Sequence, residues 1–279
     1  MALLRFDDCL TSLTPTVCQL VGVPPPRATA CSGLTRVALA AEQIFDGKPV
    51  QKCLIFCPDA IGAHLWGHPE LDFGRVLKVA PLQLPVRSVI PPKTPVCFAS
   101  MFTGALPEVH GIRRYERPVL GCDALFDALV RGNKRVAIVA VHDSSIDLIF
   151  RGRKIDYYSE SYDPDVLERT LQLVQMDEHD VIVAYQQEYD DTLHKTIPFS
   201  DECIRAARNH LEAFITLAGA VRESWGRYRR ALIFAPDHGA HIDAASGHGD
   251  HGEDIPDDMH IFHCYGLEPA EMPNGSGKK

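Results

Sequence analysis

CLIFCPD, at residues 53–59, is a short unbroken apolar run that ends in proline and aspartate. A run of this length without polar alternation suits a strand buried on both faces. The same form returns as RVAIVAV at 135–141, VIVAY at 181–185 and ALIFA at 231–235, and HIFHC at 260–264 is a further candidate. Helical spacing fills the intervals. DALFDALV at 123–130 predicts a helix with Asp123 as N-cap and Gly132 as its stop. Asp163 followed by Pro164 predicts another, running through Leu167, Leu171 and Val174. Ser200 can cap a long helix through Ile204, Leu211, Phe214 and Leu217. Strands alternating with helices predict an α/β fold, a mostly parallel central sheet with helices on both faces. Positions 95–189 read as core elements, which leaves no large cap domain. One domain over 1–279 is the simpler organisation, with 1–50 as an N-terminal extension packed on it and 270–279 as a flexible tail. Pro24, Pro25 and Pro26 interrupt the extension with an extended turn, and a separate lobe at 65–92 is the alternative division.

The chain has 279 residues and a formal net charge of -9. That sign argues against a general nucleic-acid coat, which needs a basic footprint. It leaves room for a small phosphorylated substrate, because bound divalent metals reverse the local field. Nine cysteines carry no CxxC pair, and Cys53, Cys57, Cys97 and Cys264 are expected as buried thiols. The first twenty residues hold Asp7 and Asp8 and no continuous apolar segment, so no signal peptide is expected. No run of about 18 apolar residues predicts a membrane span. A reduced, cytoplasmic setting is the expectation. None of these features speaks to oligomeric state.

Three of the apolar runs lead into an aspartate: Asp59 after CLIFCP, Asp190 after VIVAYQQEY and Asp237 after ALIFAP. In open parallel sheets, ligands bind beyond the carboxyl ends of the strands, so these three side chains would meet. One aspartate after a strand is usually a turn or cap residue; three together, two of them with a nearby histidine, are not. His194 lies four residues after Asp190, and His238 follows Asp237 directly. The segment DHGAHIDAASGHGDH, 237–251, packs four histidines and three aspartates into fifteen residues. Imidazole with carboxylate suits Zn²⁺ or Mn²⁺. Thr94, in PPKTPVCFASMFTG, stands where a helix would start, with Pro95 at its first position. A cap there would aim its hydroxyl into the positive end of a helix, where phosphate binds readily. Metal coordination is one way to turn so weak a nucleophile into an alkoxide.

In this order the residues resemble the alkaline phosphatase superfamily. KTPVCFASMFTGALPEVHGI resembles the nucleophile segment of nucleotide pyrophosphatase/phosphodiesterases. There a threonine precedes a Thr-Gly pair by nine residues, as Thr94 precedes Thr103 and Gly104, and His-Gly-Ile follows, as at His110 to Ile112. EYDDTLH resembles their Glu-Pro-Asp-x-x-Gly-His segment, and FAPDHG their Ser-Asp-His-Gly segment. The final ligand departs from that pattern and resembles phosphopentomutase and cofactor-independent phosphoglycerate mutase. In those families a histidine five residues before a proline is the ligand, as His251 stands before Pro256. His248 competes with His251, and Asp191 with Asp190. The resemblance spans about residues 53–265. It implies two divalent ions, Zn²⁺ first and Mn²⁺ as the alternative. One is held by Asp59, Asp237, His238 and the Thr94 oxygen, the other by Asp190, His194 and His251. It implies that Thr94 attacks in line and forms a phosphoenzyme. Lys93, beside the nucleophile, is a candidate substrate contact.

Within the superfamily, Thr94-Pro95-Val96 does not supply the Cys/Ser-x-Pro-x-Arg segment of sulfatases. The missing cap disfavours a mutase. Phosphodiester or pyrophosphate cleavage is therefore the leading expectation, with phosphomonoester or phosphonate hydrolysis next. A non-catalytic metal-binding protein on the same scaffold is the reading from a different class. His64 and His68 have i, i+4 spacing but no companion glutamate, so a partly buried loop bordering the entrance is expected. Ser144 and Ser145 read as turn residues, and Arg113, Arg114 and Arg117 as a small basic cluster able to steer an anion.

Overall fold

The computed structural model describes residues 5–271. Strands form at β1 (Asp8–Cys9), β2 (Lys52–Pro58), β3 (Leu82–Arg87), β4 (Val136–Val141), β5 (Asp156–Glu160), β6 (Val181–Gln186), β7 (Arg230–Phe234), β8 (His241–Ile242), β9 (Gly249–Asp250) and β10 (His260–Glu268). Helices form at α1 (Leu13–Val21), α2 (Thr35–Phe45), α3 (Phe73–Val79), α4 (Thr94–Thr103), α5 (Pro107–His110), α6 (Leu125–Arg131), α7 (Ser145–Ile149), α8 (Asp163–Met176), α9 (Glu188–Leu193), α10 (Asp201–Trp225) and α11 (Pro256–Met259). Among the described residues, eight strands make one sheet in the order β1-β3-β10-β7-β2-β6-β4-β5, and β8 pairs with β9 apart from it.

The expected mostly parallel sheet is present: β2 runs parallel to both β6 and β7, and β4 parallel to β5 and β6. β10 is the exception, antiparallel to β3 and to β7. It begins at the edge where β7 ends and returns across the sheet, so it needs no crossover helix. The expected strand at 260–264 thus continues to Glu268. Side chains of the central strands alternate between two cores. Cys53, Ile55 and Cys57 of β2 face α1, α4 and α6, whereas Leu54 and Phe56 face α8 and α10. All of them are fully buried, which is why no polar alternation shows in the sequence. β3 and β5 escaped prediction because LQLPVR contains a proline and DYYSE is a half-exposed edge. β3 sits inside the sheet between β1 and β10, so residues 65–92 are not a separate lobe. The tail expected at 270–279 lies outside the described residues from 272 on. Among the described residues no helix is long and apolar enough to cross a membrane.

Two expected caps take other partners. α6 starts after Ala124, whose N–H donates to the Asp127 carboxylate at 2.9 Å, and Asp123 instead pairs with Arg131 at 2.6 Å. α8 has Tyr162 at its cap position, and Asp163 turns its carboxylate to the start of α9. Ser200 caps α10 as expected, accepting the Cys203 N–H at 3.1 Å.

The interior buries neutral histidines. Burial lowers His210 to about 3 and His263 to about 4. Both lie below the value of the unfolded chain, so unfolded protein binds protons more readily. Their contribution to stability is complete above pH ~6.5 and is lost as pH falls toward their folded values. The loss is about 1.4 kcal/mol per pH unit for each ring. With chelator present, the slope of Tm against pH between pH 5 and pH 7 is expected to be less positive in His263→Phe than in the parent chain. Identical slopes in the two chains would contradict this assignment.

Candidate metal centre

Asp59, Asp237 and His238 converge beyond the carboxyl ends of β2 and β7, with one ligand atom from each within 4.8 Å of the others. The parallel pairing of the two strands delivers both aspartates to one place. The Asp59 N–H bonds the Gln186 carbonyl at 2.9 Å, and the Ala60 N–H bonds Asp237 Oδ1 at 3.2 Å. Gly239 lets the chain turn directly after His238: a Cβ there would lie 2.0 Å from the Asp257 carbonyl oxygen. The Tyr185 hydroxyl, from the end of β6, donates to Asp59 Oδ2.

A second group gathers Asp190, His194 and His251, again within 4.8 Å. Asp190 and His194 lie one helical turn apart at the α9 end, so both side chains face the same way. Asp190 Oδ1 is 3.5 Å from His194 Nε2 and 3.4 Å from His251 Nε2. His251 arrives on the loop after β9. Asp258, fully buried, holds that loop by accepting the Gly252 and Glu253 N–H groups at 2.8 Å each. Gly249 presses it onto α9, since a Cβ there would meet Leu193 Cδ1 at 2.1 Å. The two groups adjoin, with the His238 and His251 rings stacked at 3.9 Å between centroids.

Thr94 lies beside the first group. Lys93 takes the cap position of α4, and Thr94 is its first helical residue, with no side-chain cap bond. The expected cap is therefore absent, and the hydroxyl is left facing the cluster, 3.3 Å from His238 Nε2.

The protonation pattern shows what the cluster is built to hold. Nδ1 of His238 lies 2.9 Å from the Gly239 carbonyl oxygen, that of His251 2.7 Å from Pro92 and that of His194 3.2 Å from Gly249. A carbonyl only accepts, so each Nδ1 carries the proton and each Nε2 presents a lone pair. Those lone pairs face carboxylate oxygens: His238 Nε2 is 3.4 Å from Asp59 Oδ1 and 3.2 Å from Asp237 Oδ2. These two oxygens and Asp190 Oδ1 are buried without a hydrogen-bond partner. Burial pushes the Asp59 carboxyl well up, and the charges of Asp237 and Asp190 add to it. Burial likewise raises Asp237. Burial and the neighbouring His251 push His238 well down. Lone pairs and anionic oxygens crowded in a dry site repel unless a cation lies between them. The separations match as well: ligands bound tetrahedrally at about 2.0–2.1 Å lie about 3.3 Å from one another. The residues thus fit divalent cations.

Beside Thr94 a cleft of about 120 Å³ is lined by Asp59, Asp190, Asp191, Tyr115, Arg117, His142, Asp143, Ser144, Ser145, Tyr185 and Gln187. Of the alternatives left open by sequence, Asp190 faces the cluster and Asp191 accepts the Tyr162 hydroxyl at 2.8 Å. His251 is buried in the cluster, and His248 is exposed. The Lys93 ammonium bonds Asp250 at 3.1 Å and the His251 carbonyl, so it holds the His251 loop. Arg117 reaches the cleft; Arg113 bonds the Glu108 carbonyl and Arg114 pairs with Glu116. Ser144 caps α7 while lining the cleft. His64 and His68 flank Phe199 on a single 3₁₀ turn rather than an α-helix. Tyr185, Tyr115 and Asp258 were not foreseen. Only Tyr185 left a signal, an aromatic ending a strand on the face that meets α4.

No protein-family profile matches the chain, and no curated protein matches it in sequence. Solved structures do. Murine ectonucleotide pyrophosphatase/phosphodiesterase 5, an inactive form in complex with AMP, superposes with a TM-score of 0.57 at 18% identity, over 70% of this chain and 59% of that one. Phosphonoacetate hydrolase from Sinorhizobium meliloti, in complex with phosphonoacetate, gives 0.51 at 18% identity, over 68% and 57%. The C-terminal periplasmic domain of EcEptC from Escherichia coli gives 0.52 at 13% identity, over 82% and 75%. The chain thus spans less than two thirds of the first two proteins' matched chains. All three neighbours are alkaline phosphatase superfamily members. With its eight-stranded sheet and this likeness, the chain has the alkaline phosphatase-like fold.

Proposed function

We propose that the chain is a two-metal-dependent hydrolase of phosphate esters in which Thr94 is the nucleophile, with phosphodiesters or pyrophosphates as the leading substrates. One observation carries this reading: unbonded carboxylate oxygens and imidazole lone pairs crowd a buried site beside the Thr94 hydroxyl. Asp59, Asp237, His238 and Thr94 would hold one cation, and Asp190, His194 and His251 the other, with Zn²⁺ preferred and Mn²⁺ as the alternative. Bound there, the two ions supply the positive charge that favours an ionised hydroxyl and neutralises phosphoryl oxygens. The chain supplies the rest. Thr94 Oγ1, its proton lost to water, would bond to phosphorus as the leaving oxygen departs with its electron pair. A diester would leave its remaining ester group on phosphorus at Thr94, and water would then attack that phosphorus, releasing a phosphomonoester and returning a proton to Thr94 Oγ1. Tyr185 orients Asp59 through its hydrogen bond. Arg117 and Tyr115 line the cleft where the remainder of a small phosphorylated substrate would lie.

The test is metal analysis of purified protein with a panel of nitrophenyl mono- and diesters. Two equivalents of metal and faster diester cleavage, by about tenfold or 1.4 kcal/mol of barrier, is the expected result. Faster monoester cleavage would move the assignment to a phosphomonoesterase. Metal without turnover on any ester would leave a binding protein.

A further inference from the structure

α9 has six residues, too few to hold a helix by itself. Its opening N–H groups have no acceptor within the helix, and Gln187 at the cap position offers no side-chain bond. Two other helices supply the acceptors. Asp163 of α8 takes the Gln187 N–H on Oδ1 at 2.9 Å and the Glu188 N–H on Oδ2 at 2.8 Å. His210 of α10 takes the next one, the Tyr189 N–H, on Nε2 at 3.2 Å. Three consecutive backbone donors are thus held from outside, and the residue after them is Asp190.

The arrangement closes on itself. A backbone N–H can only donate, so the His210 proton sits on Nδ1, which lies 3.2 Å from Gln186 Oε1. The Gln186 amide donates to the Asp163 carbonyl at 2.8 Å. The Gln186 carbonyl in turn accepts the Asp59 N–H, so one residue joins the supports of both candidate metal groups. Asp163 is 4% exposed and His210 is not exposed at all. Burying an acid and an imidazole costs more than an apolar pair of the same volume unless their bonds are needed.

We propose that Asp163 and His210 are positioning residues that fix the first turn of α9, so that Asp190 and His194 hold the second cation. This rests on the metal reading above and adds to it two residues that touch neither metal nor substrate. Neither residue bonds Asp59, Asp237 or His238; the one link runs through Gln186, which meets Asp163 and His210 with its side chain and the Asp59 N–H with its backbone carbonyl.

Equilibrium dialysis against Mn²⁺ tests it without recourse to turnover. His210→Phe keeps the ring shape and removes the acceptor. Affinity of one of the two ions is expected to fall about 10- to 100-fold, the usual effect of losing a partner behind a ligand, while the other is unchanged. His210→Gln places an oxygen near the lost nitrogen and is expected to restore most of the affinity. Asp163→Asn, which sets an amide against one of the two donors, is expected to repeat the His210→Phe result and serves if that chain does not fold. Two ions bound by folded variants as tightly as by the parent chain would overturn the proposal. Equal weakening of both ions would also overturn it, as a general loss of fold. A parent chain that binds no second ion would instead remove the metal reading itself.

Discussion

Thr94→Ala is expected to lower turnover of an activated phosphodiester by on the order of 10⁴-fold, as loss of a nucleophile does in enzymes that work through a covalent intermediate. The fold is expected to survive. The Thr94 hydroxyl makes no cap bond, and its hydrogen-bond partner among the described residues is His238 Nε2, at 3.3 Å, so the change removes one polar contact and leaves α4 in place. Alanine is also a good residue for a first helical turn. Tm should therefore move by no more than a few degrees while the rate collapses. Thr94→Ser should keep a measurable part of the rate, because it keeps the oxygen. Acid quenching of the parent chain during turnover of the diester should trap its phosphoryl group, still carrying the second ester substituent, on Thr94. A Thr94→Ala chain that still cleaves the ester at the parent rate would refute the nucleophile assignment.

Asp237→Asn is expected to reduce turnover by about 10³-fold, or roughly 4 kcal/mol of barrier, through loss of the first cation. Asp237 Oδ1 accepts the Ala60 N–H, whereas Oδ2 is buried with no partner. Asparagine can keep the first bond only by turning its NH₂ toward the place of the second oxygen, where a cation would be repelled. The metal-free chain should respond in the opposite sense. Burial raises Asp237 above its ordinary value, so at neutral pH the ionised group opposes folding in the absence of metal. Removing that charge should leave the Tm of the chelated variant equal to or above that of the chelated parent. Zn²⁺ or Mn²⁺ should then restore activity and raise Tm in the parent, whereas in Asp237→Asn it should restore little activity and raise Tm less, through the second cation alone. Stabilisation of both chains to the same extent by metal would place the first cation elsewhere.

The buried strands were legible because their signal is local. An apolar run such as CLIFC or VIVAY can satisfy its backbone only in a ladder and its side chains only between two layers. β3 and β5 were not legible, since a proline in one and an exposed face in the other erase that signal. The candidate site was partly legible for the same reason: a parallel sheet carries whatever follows its strands to one edge, and aspartates follow three of them.

What the sequence by itself determined was the alternation of strand and helix and the supply of acids and imidazoles to that edge. What only the tertiary structure decided was the partner each side chain took. Asp163 caps another helix rather than its own, Asp123 pairs with Arg131, and Lys93 holds the His251 loop. Thr94 leaves the cap to Lys93 and faces the histidines, and Asp190 rather than Asp191 turns inward. A carboxylate or hydroxyl has several nearby acceptors and donors of almost equal worth, so its own neighbourhood cannot choose among them. The choice falls to burial, where a polar atom without a partner costs about 1–3 kcal/mol, and burial is set by residues far away in the chain.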